Sequence, residues 1–282
     1  MEGNIVRRFH WALGPQIMVG LIVAVFFVAG IGSMMQARAA LLTDIDQTAQ
    51  SLSKQRIEMK RQAKQYAWQN YLAGTYSWIS PVDCKVEHCI ALTFDDGPNP
   101  ITTPAVLRIL EREQITASFF VVGSRVHGNE SLLKRMVADG DEIGNHSWSH
   151  PDFTTLKPDQ IKKQIMLTQR AVEAAGVPTP TLFRPPYGNV DKKVVVSTPL
   201  TMMFWNEDPR DWAADSPDQV VHAVLSSAKP GGVIDMHDIY AVTADSLGPI
   251  IKNLKAHKYK FVTASQLLGL KPGQRGLYYG RP

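Results

Sequence analysis

The chain has 282 residues and a formal net charge of +4, with a pI near 9.0. Apolar residues at 44% and charged residues at 20% exclude a disordered or collagen-like chain. No long Lys/Arg block or aromatic-rich basic patch occurs, so the mild positive charge does not mark a nucleic-acid binder and suits a protein at a membrane or an anionic wall.

The first element is QIMVGLIVAVFFVAGIGSMM, Gln16 to Met35. It is uncharged and almost wholly apolar, and about 20 such residues span a bilayer core as a helix. Arg7 and Arg8 precede it, while Asp44 and Asp46 follow. The positive-inside bias then puts the chain beyond about residue 37 outside the cytoplasm. An uncleaved signal-anchor over residues 1–37 is favoured over a leader cut near the small residues Ala37 and Ala39, because the apolar run is longer than a usual signal core. A cut leader would make the remainder secreted.

Residues 38–80 are polar, with no Gly or Pro before Gly74. Leu42, Ile45, Ala49, Leu52, Met59, Ala63 and Tyr66 follow a three-four spacing, but Arg56 interrupts it and two members are only Ala. A solvated helical stalk is expected rather than a coiled coil. Cys84 and Cys89 follow in DCKVEHC and are the only cysteines. A disulfide is favoured over free thiols, which would place them in an oxidising compartment. A zinc site is disfavoured because structural zinc takes four ligands.

From Cys89 onward the pattern changes. Strands are read at CIALTF, ASFFVVG, DEIGNHS, TLFRPP, TMMFWNE, GGVIDMHD and YKFVT. Helices are read between them, around 102–113, 130–139, 158–175, 190–197, 217–228 and 245–257. This alternation predicts a parallel sheet. Seven units over residues 81–270 predict a contracted or distorted (β/α)7 barrel, shorter than the usual eight-unit barrel of about 250 residues. The tail, residues 271–282, has no periodicity and is expected to be a surface strap or disordered.

In such a barrel, chemistry collects at the C-terminal strand ends. Asp95 and Asp96 end the first strand, and His146 and His150 follow the third. Arg184 ends the fourth; Asp208, Asp211 and Trp212 follow the fifth; His237 and Asp238 end the sixth. Taken singly, each reads as a polar turn or a surface salt bridge. Together they converge on one rim, and two histidines four apart plus a carboxylate can hold a metal while leaving positions open.

The ordered set TFDDGP, HSWSH, RPPYG, DPRDW and MHD resembles the NodB-homology polysaccharide deacetylases of carbohydrate esterase family four, over residues of about 85 to 270. The resemblance implies that Asp96, His146 and His150 bind one divalent metal ion. Zinc is the default, and cobalt, nickel or iron suit the same donors. It makes Asp95 the general base, fixed by Arg184, and gives the backbone N–H of Tyr187 an oxyanion role, stiffened by Pro185 and Pro186. His237 becomes the general acid, oriented by Asp208, or by Asp211 if the local turn differs. Trp212 walls the acetyl pocket. One residue departs: Asp235 stands where the family carries Leu. Strand alternation puts it on the face of His237. It must therefore meet solvent or ligand, or be buried at a cost, which would make the pocket more polar or raise the pKa of His237. Glu207 is expected to add negative charge nearby.

The implied function is metal-dependent removal of N-acetyl groups from N-acetylglucosamine in an extracellular polymer, peptidoglycan being favoured by the predicted location. Chitooligosaccharide, poly-N-acetylglucosamine and acetylxylan are the alternatives within that chemistry. A catalytically silent glycan-binding protein and a membrane scaffold are alternatives of other classes. No nucleic-acid partner is expected, and the oligomeric state is not legible.

Overall fold

The computed structural model describes residues 33–36, 38–55, 82–271 and 274–281. The chain divides into two compact units, Met1–Gln62 and Ala63–Pro282. The predicted anchor, apart from residues 33–36, lies outside the described residues, as does the stalk beyond residue 55. No described helix is long and apolar enough to cross a membrane. In the first unit, residues 38–55 form helix α1. Its seam positions Leu42, Ile45 and Leu52 are 57%, 55% and 60% exposed. Gln50 Nε2 donates to Asp46 Oδ2 over 2.8 Å along the same face.

The second unit is built on β1, Cys89–Asp95, which is buried throughout. Its run Cys89–Leu92 is wholly apolar, as a central parallel strand covered on both faces requires, and the polar Thr93 and Asp95 come only toward its end. The other strands are β2 (Ser118–Val121), β3 (Glu142–Asn145), β4 (Leu182–Phe183), β5 (Thr201–Met203), β6 (Gly232–His237), β7 (Lys260–Phe261) and β8 (Leu277–Tyr278). Their order is β6-β1-β2-β3-β4-β5-β8, with β7 also on β1, and the pairings are all parallel. Helices α2 (Thr103–Glu113), α3 (Glu130–Asp139), α4 (Pro158–Ala174), α5 (Lys192–Ser197), α6 (Pro217–Ser227), α7 (Ala241–Ala256) and α8 (Ala264–Leu268) complete the unit. Val106, Leu107 and Leu110 of α2 form one stripe packed into the main core with Leu92 and Phe94 of β1. Phe94 stacks on Phe119 of β2 at 5.1 Å.

The chain leaving β5 bridges β6 at Glu207 and Ile234, and the Asp235 N–H donates to the Glu207 carbonyl over 2.9 Å. The parallel sheet thus curls back on itself, as a contracted barrel must. Two details differ from the expectation. The seventh strand pairs with the start of β1, Lys260 opposite Cys89, rather than taking the next place around the rim. The described part of the tail takes the first of its two expected forms, a strap, and adds a strand to it: β8 pairs with β5, and Tyr279 stacks on Phe204 at 4.6 Å. A two-residue strand is too short to leave a period in the sequence. Cys84 and Cys89 form the expected disulfide.

Parallel register decides what meets at the rim. Asp95 lies opposite His237 and Thr93 opposite Asp235 on β6. Val121 lies opposite Asn145, and Asn145 opposite Phe183, immediately before His146 and Arg184. The residues separated by up to about 140 positions in sequence become neighbours because every strand ends on the same side.

Candidate active site

At the end of β1 the chain turns sharply. Asp96 adopts a left-handed conformation, φ 74°, and both Asp95 Oδ2 and Asp96 Oδ1 reach His146 Nε2, at 3.5 and 3.7 Å. The next residue has to be glycine: a Cβ on Gly97 would lie 2.3 Å from Asp238 Oδ1. Asp238 is buried and accepts a hydrogen bond from Thr103 Oγ1. Burial pushes its carboxyl up to about 7, against the pull of that hydrogen bond and with help from the charges of Asp96 and Asp95.

Asp96, His146 and His150 present ligand atoms that all lie within 4.8 Å of one another. His146 Nε2 is 3.7 Å and His150 Nε2 3.3 Å from Asp96 Oδ1. Three ligands about 2.1 Å from a tetrahedral centre lie roughly 3.4 Å apart, so the spacing fits a divalent ion. The donor chemistry fits as well. His146 Nδ1 donates to the Arg184 carbonyl over 2.8 Å, leaving the lone pair of Nε2 toward Asp96. Burial holds the His146 ring neutral, down to about 3, while the charge of Asp96 pulls the other way. Asp96 Oδ1 is itself buried without a hydrogen-bond partner. Two acceptors facing each other out of water call for a cation between them.

The loop that carries the two histidines is fastened from below. Asn145 Oδ1 accepts the Ser147 N–H at 2.9 Å, and its Nδ2 donates to the Ile165 carbonyl at 3.0 Å. Gln164 Oε1 accepts the N–H groups of Trp148 and Ser149, and Ser147 Oγ accepts that of His150. Ser147, His150, Tyr187 and Arg210 join Asp96 in the left-handed region. Such backbones cost about 1–3 kcal/mol each and persist where surrounding structure imposes them.

Arg184 is fully buried beneath Asp95. Its Nε and Nη2 donate to the carbonyls of Met203 and Phe204, both at 3.0 Å. Its Nη1 faces three acceptors: Asp235 Oδ1 at 2.6 Å, Asp95 Oδ1 at 2.8 Å and Thr93 Oγ1 at 2.9 Å. The guanidinium also lies 4.1 Å from the centroid of the Phe120 ring. Burial raises the Asp95 carboxyl, while Arg184 and His237 lower it. Asp235 is 4% exposed, so it meets neither solvent nor an open pocket; Arg184 offsets the cost of burying it. Burial and the charge of Asp95 push Asp235 well up.

His237 sits beside this cluster, two residues beyond Asp235 on β6 and opposite Asp95. Burial alone would lower it, but its hydrogen bond to Asp211 and the charges of Asp211, Asp235 and Asp95 raise it to about 10. The orienting carboxylate is Asp211, which corrects the expectation for Asp208. Asp211 Oδ1 takes the His237 Nδ1 at 2.8 Å, and Oδ2 takes the His237 N–H at 2.7 Å and Thr243 Oγ1 at 2.5 Å. Asp208 is exposed, and its Oδ1 accepts the Arg210 N–H at 2.8 Å. The left-handed Arg210 reverses the chain, turning Asp211 inward and Asp208 outward. Glu207 is a second correction: it pairs with Lys229 at 2.8 Å, before the start of β6 and away from the rim.

Tyr187 (φ 60°) follows Pro185 and Pro186. Its ring is exposed and lies edge-on to His150, 4.6 Å between centroids. Trp212 is half exposed, with Arg210 stacked over it at 5.1 Å. Thr93, Asn145, Gln164 and Thr243 were not singled out from the sequence. Thr93 alone was within reach, two residues before Asp95 on the same strand face. The other three are recognisable only through contacts between distant segments.

A parallel α/β barrel with an Asp-His-His trio and a carboxylate–arginine pair at its rim defines a hydrolase-type site. The polysaccharide deacetylase family model matches residues 83–202, and the chain belongs to that family. It is 42% identical over 201 residues to peptidoglycan-N-acetylglucosamine deacetylase PgdA of Listeria monocytogenes, covering 71% of this chain and 43% of that one. It is 43% identical over 182 residues to peptidoglycan-N-acetylmuramic acid deacetylase PdaC of Bacillus subtilis, covering 64% and 39%. The chain thus spans about two fifths of the length of those relatives. A peptidoglycan-N-acetylglucosamine deacetylase of Bacillus cereus is 35% identical over 206 residues, 70% of this chain and 95% of its own. The solved structure of PdaC superposes with a TM-score of 0.65 at 42% identity, covering 67% of this chain and 93% of that structure.

Proposed function

We propose that the chain is a metal-dependent deacetylase that hydrolyses the N-acetyl group of N-acetylglucosamine residues in peptidoglycan. The observation that carries it is the trio Asp96, His146 and His150, a buried unpartnered carboxylate oxygen facing a neutral imidazole, set beside Asp95 and His237 on adjacent strands. An ion held by the trio supplies Lewis acidity and an activated water; zinc is the leading candidate, and the same donors accept cobalt, nickel or iron. Asp95 is held through Oδ1 by Arg184, so its other oxygen takes the proton of the attacking water. The backbone N–H of Tyr187 faces the oxygen on which negative charge develops. Asp211 holds Nδ1 of His237, leaving Nε2 to protonate the amine as the amide C–N bond breaks and acetate leaves. Trp212 walls the acetyl side. The apolar run behind Arg7 and Arg8 anchors the enzyme, with the second unit outside the cytoplasm; the disulfide supports an oxidising compartment.

Acetate release is measured from purified peptidoglycan, chitooligosaccharide, poly-N-acetylglucosamine and acetylxylan, with mass spectrometry locating the freed amine. Chelator abolishes release, zinc or cobalt restores it, and peptidoglycan is turned over fastest at its N-acetylglucosamine. A protein that retains no ion and releases no acetate from any of the four refutes the reading. Asp95→Asn keeps glycan and ion binding but loses release; a biological role that survives in that variant points to glycan binding instead.

A further inference from the structure

Beside the Asp96 turn lies an open polar groove of about 470 Å³ lined by Pro98, Asn99, Ser124, Arg125, Asn129 and Ile239, among others. Arg125 stands on the short turn after β2. Its Nη1 donates to the Asp96 carbonyl over 2.8 Å, and its own carbonyl accepts Asn129 Nδ2 at 2.9 Å. The arginine is therefore tied through its side chain to the residue that supplies the trio's carboxylate, and through its backbone to Asn129. Among the described residues it makes no ion pair, whereas the neighbouring His127 has Glu130 at 3.3 Å. An anchored cation that lacks an acid and lines a groove next to a reaction centre is a seat for an anion. A guanidinium fork suits a carboxylate, which it can grip with two parallel N–H groups.

We infer that Arg125 is a specificity-determining residue that binds a carboxylate borne by the sugar next to the one being deacetylated. This rests on the deacetylase reading and deepens it. Alternate sugars of peptidoglycan carry a carboxylic-acid ether, free or extended by an acidic peptide. Chitin-type and xylan backbones carry no such group at that position. The groove thus separates the favoured polymer from its neutral competitors, which the trio and its flanking acid and base do not.

The test uses the full chain loaded with zinc or cobalt and two glycans of one length. One bears free carboxylates, and the other is the same glycan with those carboxylates converted to amides. The parent prefers the anionic glycan, mainly through KM, and the preference shrinks with added salt because the site is exposed to screening. Arg125→Gln, which keeps an N–H for the Asp96 carbonyl, lowers the ratio of kcat/KM for anionic over neutral glycan at least five-fold; Arg125→Lys restores part of it. An unchanged ratio overturns the inference, and so does an equal loss on both glycans, which would make Arg125 only a prop for the Asp96 turn. Equilibrium binding of the same two glycans to Asp95→Asn gives the ratio without turnover. Turnover of the neutral glycan reports on the deacetylase reading separately, so the two failures are distinguishable.

Discussion

Replacing Asp211 by Asn is the sharpest test of the acid half of the site. Asp211 is 1% exposed and receives four donors: the ring and backbone N–H of His237, the Trp212 N–H and the Thr243 hydroxyl. An amide keeps one acceptor oxygen and sets its NH2 against donors. Hydrogen bonds to a charged group contribute about 1.5–3 kcal/mol each. The position of His237 near 10 rather than 6.5 corresponds to about 5 kcal/mol favouring the protonated ring, at about 1.4 kcal/mol per unit. Burial opposes that shift, and the hydrogen bond and charge of Asp211 lead the causes that support it. Without them the ring returns toward its ordinary value. The alkaline limb of the kcat/KM profile for acetate release therefore moves down by roughly two units or more, and the rate at pH 9 falls by about 10-fold or more. Asp208→Asn, which loses one bond to an exposed turn, leaves the limb in place. Equal damage from the two substitutions, or an unmoved limb in Asp211→Asn, refutes the assignment.

Arg184→Met leaves Asp95 and Asp235 buried without their cation, and costs about 3–5 kcal/mol in denaturant melts. Adding Asp235→Leu recovers at least about 1 kcal/mol of it, since the two residues share one contact; strict additivity would rule out the shared guanidinium. Gly97→Ala drives a methyl into Asp238 Oδ1 and lowers stability by about 1–3 kcal/mol; a variant as stable as the parent would show that the Asp238 carboxyl is free to move. Ion-free protein should lose stability as pH rises from 7 to 10. His237 has a folded value raised to about 10, so its contribution is full below the unfolded value near 6.5 and is lost as pH climbs through 10. His237→Gln flattens this limb, and identical melting profiles for parent and variant across that range would exclude it.

The strand–helix alternation and the polar strand ends were legible because each is a local pattern. β1 opens on an apolar run, α3 has a helical stripe, and Asp95-Asp96, His146 with His150, and Arg184 stand where apolar runs stop. Asp235 was visible as a departure, but nothing local says that it lies under Arg184, 51 positions away. The choice between Asp208 and Asp211 hangs on one left-handed residue, Arg210, that the motif DPRDW does not specify. Arg125 lies outside every motif and matters only because β2 ends beside β1. The sequence by itself determined which residue types the chemistry would draw on and on which strand ends they stand, since hydrophobic period and chain stops are properties of neighbouring residues. Only the tertiary structure decided which carboxylate faces which cation, because that depends on parallel register and on backbone reversals that bring distant segments within bonding distance in a medium too poor in water to leave a charge alone.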